Sequence, residues 1–212
     1  MSDEGDDIQP LIDRLRGGDQ EALGPLFSLY RDRLCKMVEF RLDARLRGRV
    51  AASDVLQEAY IDAFKRLQHF QGDPDVPFFI WLRTVTFQRL IDVHRQHLEA
   101  QARNAAREVA INAGASFGAS TERMAELMGD LTSPSQAVQR GEIIARLREV
   151  LDRLDPVDRE VLALRHFEEL SNREVAALLG IQTSAASKRY VRAIERLKDA
   201  LEQSPGFDKG AS

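Results

Sequence analysis

Apolar residues recur along most of the chain at intervals of three and four, and no stretch shows the sustained alternation of a half-buried strand. The pattern predicts a short amphipathic helix from Ile8 to Leu15, stopped at Gly17 and Gly18. Asp19 caps the next helix, whose Leu23, Leu26, Phe27, Tyr30, Leu34, Met37 and Val38 form one core stripe. A basic stretch, Arg41 to Arg49, follows and is broken at Gly48. Ser53 or Asp54 then caps a third helix that turns Leu56, Ala59, Tyr60, Ala63, Phe64 and Leu67 inward. Strong breakers fill Phe70 to Pro77. The helix after them is apolar at Phe78, Trp81, Leu82, Val85 and Leu90, with Asp92, His94, Arg95 and His97 exposed toward its end.

From about Gln101 to Ser135 the character changes to alanine, glycine and serine with little periodicity. This reads as a linker with a helical start and a transient turn around Met124 to Met128. The helical pattern resumes from Gln136 to Leu154, with Ile144, Leu147, Leu151 and Leu154 on one face. Asp155 and Pro156 restart the chain into Val157, Val161, Leu164 and Phe167. The expected fold is all-α. Two small helical domains, 11–100 and 136–203, are joined by a linker, 101–135, between disordered ends at 1–10 and 204–212.

Ser171 to Lys198 carries the most specific pattern. Ser171 and Glu174 have the spacing of a capping box, and Val175, Leu178 and Leu179 give a short apolar face. Gly180 ends that helix, where a left-handed residue is cheap only for glycine. Thr183 can cap a longer helix with Ala186, Tyr190, Ile194, Leu197 and Leu201 at helical spacing. A short helix, a glycine turn and a longer helix make a helix-turn-helix. The longer helix opens with small side chains, Thr183 to Ser187, that let a helix end approach base edges. Lys188, Arg189, Arg192, Arg196 and Lys198 follow, within reach of phosphates. An amphipathic hairpin with a solvated basic face has the same pattern and is the competing reading.

Composition narrows the function. The 212 residues carry a net charge of −4, so the chain alone should bind DNA weakly at physiological salt, and a partner that supplies much of the affinity is expected. No run of about 18 apolar residues is present, and the acidic start is unlike a secretory signal, so a cytoplasmic protein without a membrane span is expected. Cys35 stands alone at an apolar-periodic position and reads as a core thiol. His94 and His97 could share a metal, but no convincing third ligand lies near them in sequence. With no glycine-rich phosphate loop and no nucleophile elbow, neither catalytic residues nor a metal or cofactor are expected. The chain reads as a protein that binds. Asp54, Gln57, Glu58 and Asp62 lie along one outward helix face with Lys65 at its end, either as a solvated polar face or as a contact surface. Trp81 sits on an apolar stripe and reads as core.

The order of parts resembles a known family. DVLQEAYIDAFKRL resembles the core-binding helix of bacterial sigma factors, and PFFIWLRTVTFQRLIDVHR the sigma helix that follows it. LDPVDREVLALRHFEELSNREVAALLGIQTSAASKRYVRAIERLK resembles the C-terminal sigma domain with its promoter helix-turn-helix. The likeness runs from about Leu11 to Leu201 and fits the small extracytoplasmic-function (ECF) group. TSPSQAV and RHFEELSNREVA are similar to a branch common in planctomycetes.

The resemblance implies a sigma factor that binds core RNA polymerase and directs it to promoters. It implies that Asp54, Gln57, Glu58 and Asp62 face the clamp coiled coil of the largest subunit, and that the polymerase flap is a second contact. Phe70, Gln71 and Asp73 would belong to the loop that pockets a flipped base of the −10 element, with Arg83, Gln88 and Arg95 along the non-template strand. Ser171, Arg173, Thr183, Ser184, Ala185, Ser187, Lys188, Arg189, Arg192 and Arg196 would meet the −35 element. The linker would thread the polymerase channels, and an anti-sigma factor is a further candidate partner. One departure stands out. Thr86, Phe87 and Gln88 occupy positions where the family often has Ala-Arg-Asn, and Phe87 cannot hold a phosphate. The alternative is a stand-alone helix-turn-helix regulator, which predicts a symmetric dimer and a palindromic operator.

Overall fold

The computed structural model describes residues 4–67, 76–105, 121, 123–128 and 137–203, and among these residues there is no strand. The chain divides into two compact units, Met1–Ala110 and Ile111–Ser212.

In the first unit, α1 (Glu4–Arg16) begins ahead of Ile8 and takes in residues expected to belong to a disordered end. Acidic residues suit the first turn of a helix, because the backbone dipole is positive there. Gly18, at φ 91°, turns the chain after α1. Asp19 accepts from the Glu21 N–H at 3.0 Å and so caps a 3₁₀ turn, Gln20–Ala22, that leads into α2 (Leu23–Arg41). The third helix, α3 (Ala52–Arg66), is preceded by Ala51 and has no side-chain cap, so neither Ser53 nor Asp54 plays that part. Asp54 lies instead in the first turn, where its charge favours the dipole.

Leu23, Leu26, Leu34 and Met37 of α2 form a core with Val55 and Leu56 of α3 and with Phe79, Leu82 and Leu90 of α4 (Phe78–Ala105). Burying side chains of this size stabilises the fold by roughly 1.5–3 kcal/mol each. Ala59 and Ala63 are fully buried, and their small size suits the close packing of α3 between α2 and α4. That packing rotates Phe64 outward, against the expected inward stripe, and leaves it exposed. Tyr60 meets Phe27 edge-on at 5.1 Å, and Trp81 is half-buried with its ring 5.4 Å from Phe78. Cys35 is half-buried rather than core, with Sγ 3.5 Å from the Glu39 carboxylate.

The second unit contains α5 (Ala137–Arg153), α6 (Pro156–Leu162), α7 (Asn172–Leu179) and α8 (Thr183–Glu202). Asp155 caps α6 by accepting from the Val157 N–H at 2.9 Å, and Pro156 takes the first helical position, where no N–H is needed. Val157 is exposed, since the inward stripe starts one turn later at Val161 and Leu162. A π-type turn, Ala163–Phe167, follows α6 and leads through Glu169, at φ 56°, toward α7. Leu147, Val150 and Leu151 of α5 join Val161, Leu164, Val175, Ala186 and Ala193 in the buried set, and α8 packs on α5, α6 and α7. Among the described residues, no helix is long and apolar enough to cross a membrane.

Candidate functional site

The helix-turn-helix forms from local chemistry. Ser171 Oγ accepts from the Glu174 N–H at 3.2 Å while Glu174 Oε2 accepts from the Ser171 N–H at 2.7 Å, which closes the capping box. Gly180 adopts φ 64° and ψ 35°, the left-handed turn that glycine makes without steric cost. Gln182 precedes α8 without a side-chain cap, and Thr183 is the first helical residue rather than the cap. Thr183, Ser184 and Ala185 are exposed, Ser187 is half-buried, and Ala186 faces the core. Arg173 is exposed on α7, whereas the Ser171 hydroxyl is committed to its helix end.

A groove of about 460 Å³ runs between α8 and the start of α6. Ala185, Lys188, Arg189, Arg192 and Arg196 line one side, and Asp155, Val157 and Asp158 line the other. Among the described residues, Lys188, Arg189 and Arg192 form no ion pair. Arg196 differs. Its guanidinium binds the Asp158 carboxylate, whose side chain is only 8% exposed, so this cation fastens α8 to α6. Tyr190 holds α8 from another side: its hydroxyl lies 2.9 Å from His166 Nε2, and the Arg165 guanidinium sits 5.3 Å from its ring centre. Arg165 also donates to the Leu170 carbonyl, just ahead of the capping box. Partial burial and the neighbouring Arg165 hold the His166 imidazole below its ordinary pKa. No local pattern joins residues 166 and 190, so this cluster was not readable from spacing.

In the first unit, Asp54, Gln57 and Glu58 are exposed on α3, and Asp62 is half-buried beside them. Arg89 reaches across from α4. Its Nε donates to Glu58 Oε2, its Nη2 lies in ion-pair contact with the same oxygen, and Nη1 lies 4.0 Å from Asp62 Oδ2. On α4, Gln88 and Arg95 are exposed, and Arg95 pairs with Asp92 at 3.6 Å. Arg83, expected along a DNA strand, is buried. Its guanidinium lies 5.5 Å from the Phe87 ring centre, and that of buried Arg41 lies 5.8 Å from the same ring. Phe87 therefore faces two cations, an arrangement that a ring quadrupole favours. His94 is half-buried, not exposed, and Nε2 accepts from the Asp43 N–H at 3.3 Å. Burial pushes its imidazole below the usual 6.5. Phe70, Gln71 and Asp73 lie outside the described residues.

The family model for ECF sigma factors matches residues 5–203. The chain belongs to the ECF sigma factor family. It is 30% identical over 195 residues to RNA polymerase sigma-H factor of Pseudomonas aeruginosa, covering 92% of this chain and 93% of that one. It is 27% identical over 195 residues to the ECF RNA polymerase sigma factor SigW of Bacillus subtilis, covering 92% and 96%. Among solved structures, CnrH in complex with the cytosolic domain of CnrY aligns at TM-score 0.48 and 24% identity, over 91% of this chain and 95% of that chain. As an ECF sigma factor, the protein binds core RNA polymerase and directs it to promoters. The stand-alone regulator reading is not favoured by this family.

Proposed function

We propose a division of labour for this sigma factor. Asp54, Gln57, Glu58 and Asp62 meet the clamp coiled coil of the polymerase, and residues 11–100 read and melt the −10 element, with Gln88 and Arg95 toward the non-template strand. Residues 136–203 read the −35 element: Ser184, Ser187 and Lys188 meet base edges, and Arg189 and Arg192 meet phosphates. The observation that carries this reading is the split along α8. Small exposed side chains open the helix, unpaired cations follow through Arg192, and the next cation, Arg196, turns back to Asp158. Cations without internal partners lose no ion pair when they meet DNA, and each phosphate contact releases condensed counterions.

The test is binding of the polymerase holoenzyme to matched and scrambled −35 elements across a salt series. Lys188→Ala should weaken the matched template by about 1–3 kcal/mol and relax preference at one or two positions. Arg192→Ala should weaken both templates alike and reduce the salt slope by about one unit. Equal loss on both templates for Lys188→Ala removes its base-reading role.

A further inference from the structure

We infer that Arg89 is a positioning residue for the polymerase-binding face, and that it acts through Glu58. The inference rests on the reading that Glu58 meets core polymerase. Glu58 is long, flexible and 47% exposed, and an unrestrained side chain of this kind gives up rotamer freedom when it is fixed in an interface. Arg89 removes much of that freedom beforehand. Its side chain is 24% exposed, and the planar guanidinium projects from α4 toward the outward face of α3.

The geometry is selective. Nε and Nη2 converge on Oε2 alone, so Oε1 keeps its lone pairs for a donor from outside. Nη1 reaches toward Asp62 Oδ2 at 4.0 Å, which puts both carboxylates under one fork. A lysine could supply the charge here but not the rigid fork, because an ammonium on a four-carbon stem does not fix the direction of its partner. Arg89 also ties the polymerase-binding face to α4, the helix that exposes Gln88 and Arg95. A shift of α4 would therefore move Glu58.

The experiment uses the full chain and core polymerase, with association and dissociation rates measured for wild type, Arg89→Lys, Glu58→Gln and the double variant. Thermal unfolding followed by Trp81 fluorescence reports the stability of the first unit. Arg89→Lys retains the charge, so the association rate should hold while dissociation quickens, lowering affinity roughly three- to tenfold. In the Glu58→Gln background the same change should add nothing. An equal loss in both backgrounds overturns the inference, because the effect would then be structural and not carried by Glu58. So does unchanged affinity for Arg89→Lys where Glu58→Gln weakens binding, and in that case the reading of α3 survives. Unchanged affinity for Glu58→Gln overturns the reading and the inference together.

Discussion

Arg192 and Arg196 stand one helical turn apart on α8, and substituting each by alanine should have opposite consequences. Arg196→Ala strands the Asp158 carboxylate, which is 8% exposed and receives the Arg196 guanidinium across the seam between α6 and α8. Breaking a fully buried ion pair costs about 3–5 kcal/mol, whereas an exposed pair contributes under about 1 kcal/mol. Here the cation is 59% exposed while the carboxylate is buried, so the cost falls between these limits, at roughly 1–3 kcal/mol. For a unit of this size, 2 kcal/mol corresponds to a fall in Tm of roughly 8–16 °C. The two units can be followed separately, because the single tryptophan, Trp81, lies in the first. Far-UV circular dichroism of Arg196→Ala should show part of the helix content melting early, while the Trp81 fluorescence transition stays in place. Arg192→Ala should leave both transitions within about 0.5 kcal/mol of wild type and weaken promoter binding alone. The reasoning fails if Arg196→Ala melts like wild type and loses DNA affinity with the same salt signature as Arg192→Ala.

The capping box makes Ser171→Ala a stability variant: it should cost about 1 kcal/mol in the second unit by circular dichroism melting, since the Glu174 N–H loses its acceptor. Gly180→Val should destabilise the same unit by more than about 1 kcal/mol, although nothing lies within 4 Å of an added Cβ, because φ +64° is costly for a β-branched residue. Gly180→Asn should be milder in the same melt. Acid should weaken the first unit through His94, whose pKa is pushed below 6.5 by burial and by Arg45 and His97, against the opposing pull of Asp43. The unfolded chain then takes up its proton first as pH falls through 6.5, so stability present above that value is lost as pH approaches the folded pKa. Urea titrations at pH 7.5 and 5.5, read by Trp81 fluorescence, should show a smaller pH difference for His94→Gln, whose amide oxygen can accept from Asp43 without titrating.

Features set by neighbours along the chain were legible in the sequence. The Ser171 and Glu174 pair, the stop at Gly180 and the restart at Asp155 and Pro156 each depend on residues a few positions apart, and all three stand in the structure. Helix starts without a polar cap were not legible. Ser53, Asp54 and Thr183 were reasonable candidates, but Ala51 and Gln182 precede the helices, and packing sets where those helices begin. Partnerships between helices were also hidden. Arg89 and Glu58 are 31 positions apart, and Arg196 and Asp158 are 38 apart, so no periodicity could pair them. Phe87 was legible as a departure from the family pattern, but the sequence does not reveal that Arg41 and Arg83 come to rest near its ring.

On the proposed reading of α8, the ion pair that commits Arg196 to Asp158 also limits how long an address the helix can spell. From Thr183 to Arg192 the helix rises about 14 Å at about 1.5 Å per residue. Base pairs stack about 3.4 Å apart, so that stretch spans roughly four of them. A four-letter word recurs roughly once in 250 positions of random sequence, far too often to single out one site among the millions a genome offers. Two such words at a set distance multiply their rarities, and each further spacing allowed between them adds one more set of chance matches. Promoter choice by this protein should therefore depend on the spacing between the two DNA elements as well as on the letters within each one.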